Sequence, residues 1–278
     1  MTAGNFAVAD AIIVIPARYA SSRYPGKPLA AVHGAGGVAK SLIQRSYEAA
    51  CAVQGTPSVV VATDDDRIAV AARGFGASVV MTPASCANGT ERVAAAVARL
   101  PMADDGLADI IVNFQGDALL TPPDLVERLI AHMAANPGCP VATAAVRCSP
   151  SAYRYLIADQ SAGRVGGTTV VVNAKGNALY FSKRVLPHLP PGHPAEAEPP
   201  VLLHVGLYAY RRSALAHYAA QPATTLEDLE GLEQLRFLVH GIPVAVVASD
   251  PPAWDLIELN NPGDLPAIEA ILAQRGIE

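Results

Sequence analysis

Ile12-Ile13-Val14-Ile15-Pro16-Ala17-Arg18-Tyr19-Ala20-Ser21-Ser22-Arg23-Tyr24-Pro25-Gly26-Lys27-Pro28-Leu29 joins a short uncharged strand to a loop carrying the cations Arg18, Arg23 and Lys27. The apolar run bounded by Pro16 reads as a buried strand of a parallel sheet, and ligands of such sheets sit beyond the carboxyl ends of the strands. The loop therefore lies over a binding edge. Arg grips phosphate oxygens in a bidentate fork and Lys acts as a compact charge, a combination that suits a triphosphate better than a single carboxylate. A solvated basic loop is the alternative, and its place directly after the first strand favours function. The loop is not a Walker motif, because Ser21 and Pro28 stand where that motif needs Gly and Ser or Thr. It is no dinucleotide fingerprint either.

Outward from this stretch, apolar runs at 12–15, 59–62, 78–81, 110–114 and 141–146 alternate with helical patterns at 38–54, 66–74, 91–100 and 123–135. The alternation predicts an α/β fold, a Rossmann-like, doubly wound, mainly parallel sheet. Asp66-Arg67-Ile68-Ala69-Val70-Ala71-Ala72 follows a cap region at Thr63-Asp64-Asp65. Beyond Arg147 the pattern changes to strands at 170–173, 179–181 and 203–210, with a hairpin turn at 174–177. A Pro-rich excursion covers 187–200, and a last helix is expected over 266–274 with Asp264 as its cap.

The 278 residues suffice for one large α/β domain with an insertion, and 51% hydrophobic against 16% charged residues is a globular composition. A net charge of −5 argues against nucleic acid as a partner, since phosphate-backbone binding favours a basic surface. Cys51, Cys86, Cys139 and Cys148 form no Cys-x-x-Cys pair, so reduced thiols are expected. No stretch reaches membrane-span length and no basic region precedes the first apolar run, so a cytoplasmic protein without a membrane partner is expected.

Several motifs recur in one order: Val59-Val60-Val61-Ala62-Thr63-Asp64-Asp65, Asn88-Gly89-Thr90-Glu91-Arg92, Val112-Asn113-Phe114-Gln115-Gly116-Asp117, Ala178-Leu179-Tyr180-Phe181-Ser182, His204-Val205-Gly206-Leu207-Tyr208 and Leu232-Glu233-Gln234-Leu235-Arg236. With the 12–29 loop, this series resembles the sugar-acid cytidylyltransferases, above all the CMP-KDO synthetases (3-deoxy-manno-octulosonate cytidylyltransferases), from about Ile12 to Leu265. The resemblance implies a single cytidylyltransferase domain of the nucleotide-diphospho-sugar transferase type over 1–278. Within it, a smaller mixed subdomain near 148–212 covers the acceptor and supplies a homodimer contact. It also implies transfer of CMP from CTP to a small acidic acceptor with loss of pyrophosphate, assisted by Mg²⁺.

On the same resemblance, Arg18, Lys27 and Asp117 are the catalytic residues, and Pro16, Ala17, Arg18, Ser22, Arg23, Lys27, Thr90, Arg92 and Gln115 bind the nucleotide. Arg92 has a competing reading as half of a helix-starting ion pair with Glu91. Asp117, following the strand at 110–114, should emerge at the phosphate edge as a Mg²⁺ ligand, or else serve as a cap. Asn260 stands where related enzymes carry a second metal Asp. It could ligate through its carbonyl, or Glu258 could replace it from the same strand face. The acceptor set implied is Lys183, His204, Tyr208, Glu233 and Gln234, although His204 and Tyr208 can equally be core residues.

The chain departs from the family at Thr169, which replaces a Lys, at Lys183, which replaces an Arg, and at Ala118 and Leu119, which replace an acid and a proline. These departures keep three acceptor readings open: KDO or a related ulosonic acid, a small phosphonate such as phosphonoformate, or CTP binding with weakened catalysis. A nucleotide-sugar glycosyltransferase is a further reading, and a dehydrogenase ranks last for want of its glycine fingerprint.

Overall fold

A computed structural model of the chain describes residues 11–21, 24–55, 58–100 and 109–278. These fall into two compact units, Met1–Ala131 with Pro252–Glu278, and His132–Pro251.

In the first unit β1 (Ala11–Ala17) is followed by a short hairpin, β2 (Ala31–His33) and β3 (Ala39–Ser41), and then by α1 (Leu42–Cys51). β4 (Ser58–Thr63), α2 (Asp66–Gly74), β5 (Ser78–Met81), α3 (Gly89–Val97), β6 (Ile110–Phe114) and α4 (Pro123–Ala135) continue the alternation. β1 lies parallel to both β4 and β6, and β4 lies parallel to β5. The order β6-β1-β4-β5 means that the chain winds outward from β1 to β5 and then returns to the other side of β1. That reversal opens a crevice beyond the carboxyl ends of β1 and β6, where doubly wound sheets bind ligands. Ile13, Val14, Ile15, Ile111 and Val112 are fully buried, as expected of strands covered on both faces.

Side-chain caps start the helices. Ser41 accepts from the Gln44 amide (3.3 Å), Asp65 from Arg67 (2.9 Å) and Asn88 from Glu91 (2.8 Å). The helical pattern at 38–54 is corrected by the hairpin. Ala39–Ser41 pairs with Ala31–His33, and Ser41, whose side chain caps α1, fixes where helix can begin. After α9 (Leu265–Gln274) the tail returns to the hairpin loop, where Ala35 N donates to Ile277 O (2.8 Å). A second core of this unit packs Val32, Leu42, Leu119 and Leu120 against Leu259, Ile268 and Leu272, so both ends of the unit's sequence share one apolar cluster.

The second unit is mixed. β7 (Val141–Arg147) pairs antiparallel with β10 (Leu202–Arg211) and parallel with β11 (Val244–Ser249). β8 (Thr169–Val172) pairs antiparallel with β10 and β9 (Ala178–Ser182), and the turn between β8 and β9 is closed by Asn173 N donating to Asn177 O (2.8 Å). Helices α5 (Pro150–Ser161), α6 (Arg212–Ala220), α7 (Thr225–Glu230) and α8 (Leu235–Val239) complete it. Among the described residues no helix is long and apolar enough to cross a membrane.

Candidate active site

Pro16 and Ala17 end β1 fully within the sheet, and Arg18 is the first exposed residue beyond it. Arg18 Nη1 donates to the carbonyl of Ala87 at 3.5 Å, tying the loop to the segment that starts α3. The returning end of the loop is a tight turn. Gly26 lies in the left-handed region (φ 73°), its amide donates to Tyr19 O (2.9 Å), and Lys27 N donates to Tyr24 O (3.1 Å). Lys27 then starts a one-turn 3₁₀ helix, and its Nζ is paired with the Asp117 carboxylate. Ser22 and Arg23 lie outside the described residues.

Asp117 occupies a turn in which Ala118 N donates to Gln115 O (3.1 Å). Gly116 is required there: a Cβ on it would stand 2.8 Å from the carbonyl oxygen of Pro16. Ser46 Oγ donates to Gly116 O (2.9 Å), so α1 fixes the turn from behind. The carbonyl of Asp117 accepts a long hydrogen bond from Leu259 N (3.4 Å). Glu258 and Asn260, on either side of the fully buried Leu259, are thereby brought to the Asp117 segment. The carboxylate of Asp264 accepts from the amides of Asn260 (2.8 Å) and Asn261 (2.7 Å), which holds this stretch in place.

Among the described residues no group of three or more His, Cys, Asp or Glu could hold a metal by itself. On these two adjoining segments Asp117, Glu258 and Asn260 offer two carboxylates and an amide carbonyl. They suit a hard cation that takes its remaining ligands from phosphate and water, as Mg²⁺ does.

The α3 segment serves the site mainly from within. Thr90 is buried, and Gly89 lets the Gln115 amide pass close, since a Cβ there would meet Gln115 Nε2 at 2.8 Å. Gln115 Nε2 donates to Asn113 Oδ1 (3.2 Å). Arg92 is only 3% exposed; its guanidinium donates to Thr82 Oγ1 (2.7 Å) and to Asp64 Oδ2 (3.2 Å). It braces the strand ends under the crevice. Beside it, Glu91 accepts from the Ala87 amide (2.8 Å).

In the second unit His204 and Tyr208 stand on β10, and Lys183 follows the end of β9. The His204 ring meets Phe181 edge-on at 5.1 Å and Tyr208 at 5.3 Å. Thr143 Oγ1 donates to Leu207 O (2.8 Å) and stands 3.0 Å from His204 Nε2. The hydroxyl has one proton, so it accepts from Nε2–H, and His204 is held as that neutral tautomer with Nδ1 left as an acceptor. Although part of the residue's surface reaches solvent, enclosure between the rings pushes the imidazole pKa down to about 3. Tyr208 is 4% exposed and stacks on Tyr210, continuing to Phe237, so it belongs to an aromatic core while still touching His204. Lys183 lies over Gly231, where a Cβ would come within 2.8 Å of Nζ. Glu230 accepts from Ser182 Oγ (2.8 Å) and Lys183 N (2.9 Å). Gln234 is buried with Nε2 unpartnered, next in sequence to the half-buried Glu233.

The family's sequence model, described as Cytidylyltransferase, matches residues 12–245. This chain belongs to the cytidylyltransferases. The cytidylyltransferase is 42% identical to the 3-deoxy-manno-octulosonate cytidylyltransferase of Maricaulis maris, over 95% of this chain and 98% of that one. It is 40% identical to the 8-amino-3,8-dideoxy-manno-octulosonate cytidylyltransferase of Shewanella halifaxensis, over 94% and 98%. A solved CMP:2-keto-3-deoxy-manno-octonic acid synthetase complexed with CTP superposes with a TM-score of 0.79 at 36% identity, covering 96% of this chain and all of that one. The cytidylyltransferase thus has the nucleotide-diphospho-sugar transferase fold that its sequence resemblance implied.

The sequence reading took Asp64 and Asp65 only as a cap region; Asp65 does cap α2, whereas Asp64 holds Arg92, and Tyr19 and Arg67 were given no role beside the loop. Their signal was local and weak: an acidic run at a strand end and an Asp-x-Arg spacing at a helix start.

Proposed function

We propose that this cytidylyltransferase transfers CMP from CTP to a hydroxyl of an eight-carbon ulosonic acid, 3-deoxy-manno-octulosonate, with release of pyrophosphate. The convergence of Lys27 and Asp117 at the ends of β1 and β6, in a chain of this family, carries the reading. The acceptor oxygen bonds to the α-phosphorus, the bond from that phosphorus to the bridging oxygen breaks, and the hydroxyl proton passes to solvent. Such a transfer depends on charge management more than on covalent help from the protein. Arg18, Arg23 and Lys27 neutralise the triphosphate and the charge growing on the leaving pyrophosphate. Asp117, with Glu258 and Asn260, would hold Mg²⁺, which when bound screens the phosphates and polarises the α-phosphoryl group. Gln115 and the backbone around Thr90 line the crevice for the base, with Arg92 bracing them.

The acceptor set belongs to the second unit. The neutral His204, with Nδ1 as acceptor, suits a sugar hydroxyl, and Lys183 suits the carboxylate. Free thiols at the cysteines support work in the cytoplasm, and exposed Leu179 and Leu229 (60% and 79%) support a homodimer. The 8-amino sugar is a second acceptor reading, supported by the relatives of that name at 40% identity.

The test is pyrophosphate release from CTP and Mg²⁺ with 3-deoxy-manno-octulosonate, its 8-amino analogue and phosphonoformate in parallel, with UTP and ATP as nucleotide controls. Release with an octulosonate and CTP is expected. Release only with phosphonoformate, or CTP binding with no release, would replace this reading.

A further inference from the structure

A side-chain stack outside the triphosphate contacts bears on how the 18–27 loop is presented. The guanidinium of Arg67, at the start of α2, lies flat over the Tyr19 ring, its carbon 3.3 Å from the ring centroid. Arg67 is held in that pose by Asp65: Nε donates to Oδ1 (3.0 Å) and Nη2 to Oδ2 (2.7 Å). Tyr19 is also confined from the loop, because a Cβ on Gly26 would come 3.1 Å from the ring carbon and hydroxyl oxygen. The Gly26 amide closes on the Tyr19 carbonyl (2.9 Å), and the next residue is Lys27, whose ammonium reaches Asp117. The Arg67 side chain is 59% exposed, so this is not a core contact. Its charge is already matched by Asp65, which leaves it ill-suited to bind phosphate directly.

We propose that Arg67 is a positioning residue for CTP: stacked on Tyr19 and anchored by Asp65, it holds Tyr19 and Gly26 together and so sets where Arg18 and Lys27 stand. The proposal rests on the reading of the loop as the triphosphate site. A cation over an aromatic ring at an exposed position contributes an effect of about two- to fivefold on an equilibrium. The effect should fall on CTP alone, since Arg67 touches the nucleotide loop and no part of the second unit is invoked.

The experiment compares Arg67→Gln, Arg67→Lys, Tyr19→Phe and Tyr19→Leu in the full chain, with Lys27→Ala as the control. Readouts are KM for CTP, KM for 3-deoxy-manno-octulosonate, kcat, and melting temperature. Arg67→Gln and Tyr19→Leu should raise KM for CTP about two- to fivefold, with kcat, acceptor KM and melting temperature near those of the parent. Arg67→Lys, which keeps a cation on the ring, and Tyr19→Phe, which keeps the ring, should return most of the loss. An unchanged KM for CTP in Arg67→Gln, with Lys27→Ala inactive, overturns the positioning role alone. A rise shared by acceptor KM and accompanied by lower melting temperature also overturns it, marking Arg67 as structural. Normal CTP use by Lys27→Ala overturns the loop reading and this proposal with it.

Discussion

At the scale of single residues the site turns on where one charge meets another. Lys27 and Asp117 come from segments ninety positions apart and pair at the crevice. Lys27→Ala should leave a folded protein whose turnover falls about 10²- to 10³-fold, as when a charge-stabilising donor is removed; pyrophosphate release beside far-UV circular dichroism checks it. Asp117→Asn should raise the Mg²⁺ needed for half-maximal activity at least about tenfold, and an unchanged titration would reduce Asp117 to a turn residue. Asn260→Asp should lower that requirement if Asn260 faces the ion, and leave it unchanged if Glu258 is the ligand. His204 gives a pH signature. Its pKa is about 3 when folded and near 6.5 in an unfolded chain. Below 6.5 the unfolded chain therefore takes up a proton that the native state refuses, and stability falls as pH falls. The advantage of the parent over His204→Gln in urea unfolding should shrink by about 2 kcal/mol between pH 7 and pH 5. A constant difference would mean that the ring titrates freely. Thr169 shows what an identity alone conceals. Where the resembling family carries Lys, its hydroxyl donates to Arg184 O (2.6 Å) and accepts from Leu186 N (3.1 Å), closing the chain after β9.

At the scale of elements, the first unit was legible because its strands and helices alternate with clean periodicity and side-chain caps. The strand at 110–114 and the helix at 66–74 were read to the residue. The strands β2 and β3 were not, because three-residue runs carry no period and their pairing depends on contacts beyond themselves. α5, α6, α7, α8 and β11 had no sequence-based expectation; β11 is specified by pairing with β7, which a local reading does not contain. The site was half legible. Types and order of residues placed Lys27 and Asp117, whereas the burial of Arg92 against Asp64 and Thr82 depends on α3 packing over the strand ends. Ala118 and Leu119 look like losses at an active rim, yet both are buried, and Leu119 joins the cluster around Leu259. The turn beside Asp117 has the least slack. Gly116→Ala would drive a methyl group against the backbone of β1 and should cost about 1–3 kcal/mol with a loss of CTP binding, measurable by urea unfolding and calorimetry. Parent-like values would mean that the strand end yields.

At the scale of the whole molecule, ligand linkage should appear as a division of labour. CTP with Mg²⁺ at about a hundred times its dissociation constant stabilises the state that binds it by about 2.7 kcal/mol. Hydrogen exchange should therefore slow at the β1 loop, at the start of α3 and around Gln115–Asp117. The octulosonate alone should instead slow exchange around β9 and β10. Protection of the second unit by CTP alone would reassign the nucleotide. The net charge of −5 is compatible with this, because Arg18, Arg23 and Lys27 set three cations close together in sequence, where their local field acts whatever the overall charge.

The first unit is assembled from both ends of the sequence, with Leu259, Ile268 and Leu272 filling a core begun by Val32 and Leu42. On the ribosome the chain emerges amino terminus first. The apolar cluster around Val32 and Leu42 must therefore wait, uncovered, while the entire second unit is made. Only translation of the closing segment both covers that cluster and brings the Leu259 amide to the Asp117 carbonyl, so a nascent chain arrested before it would be sticky and would lack a tie on the turn at Asp117.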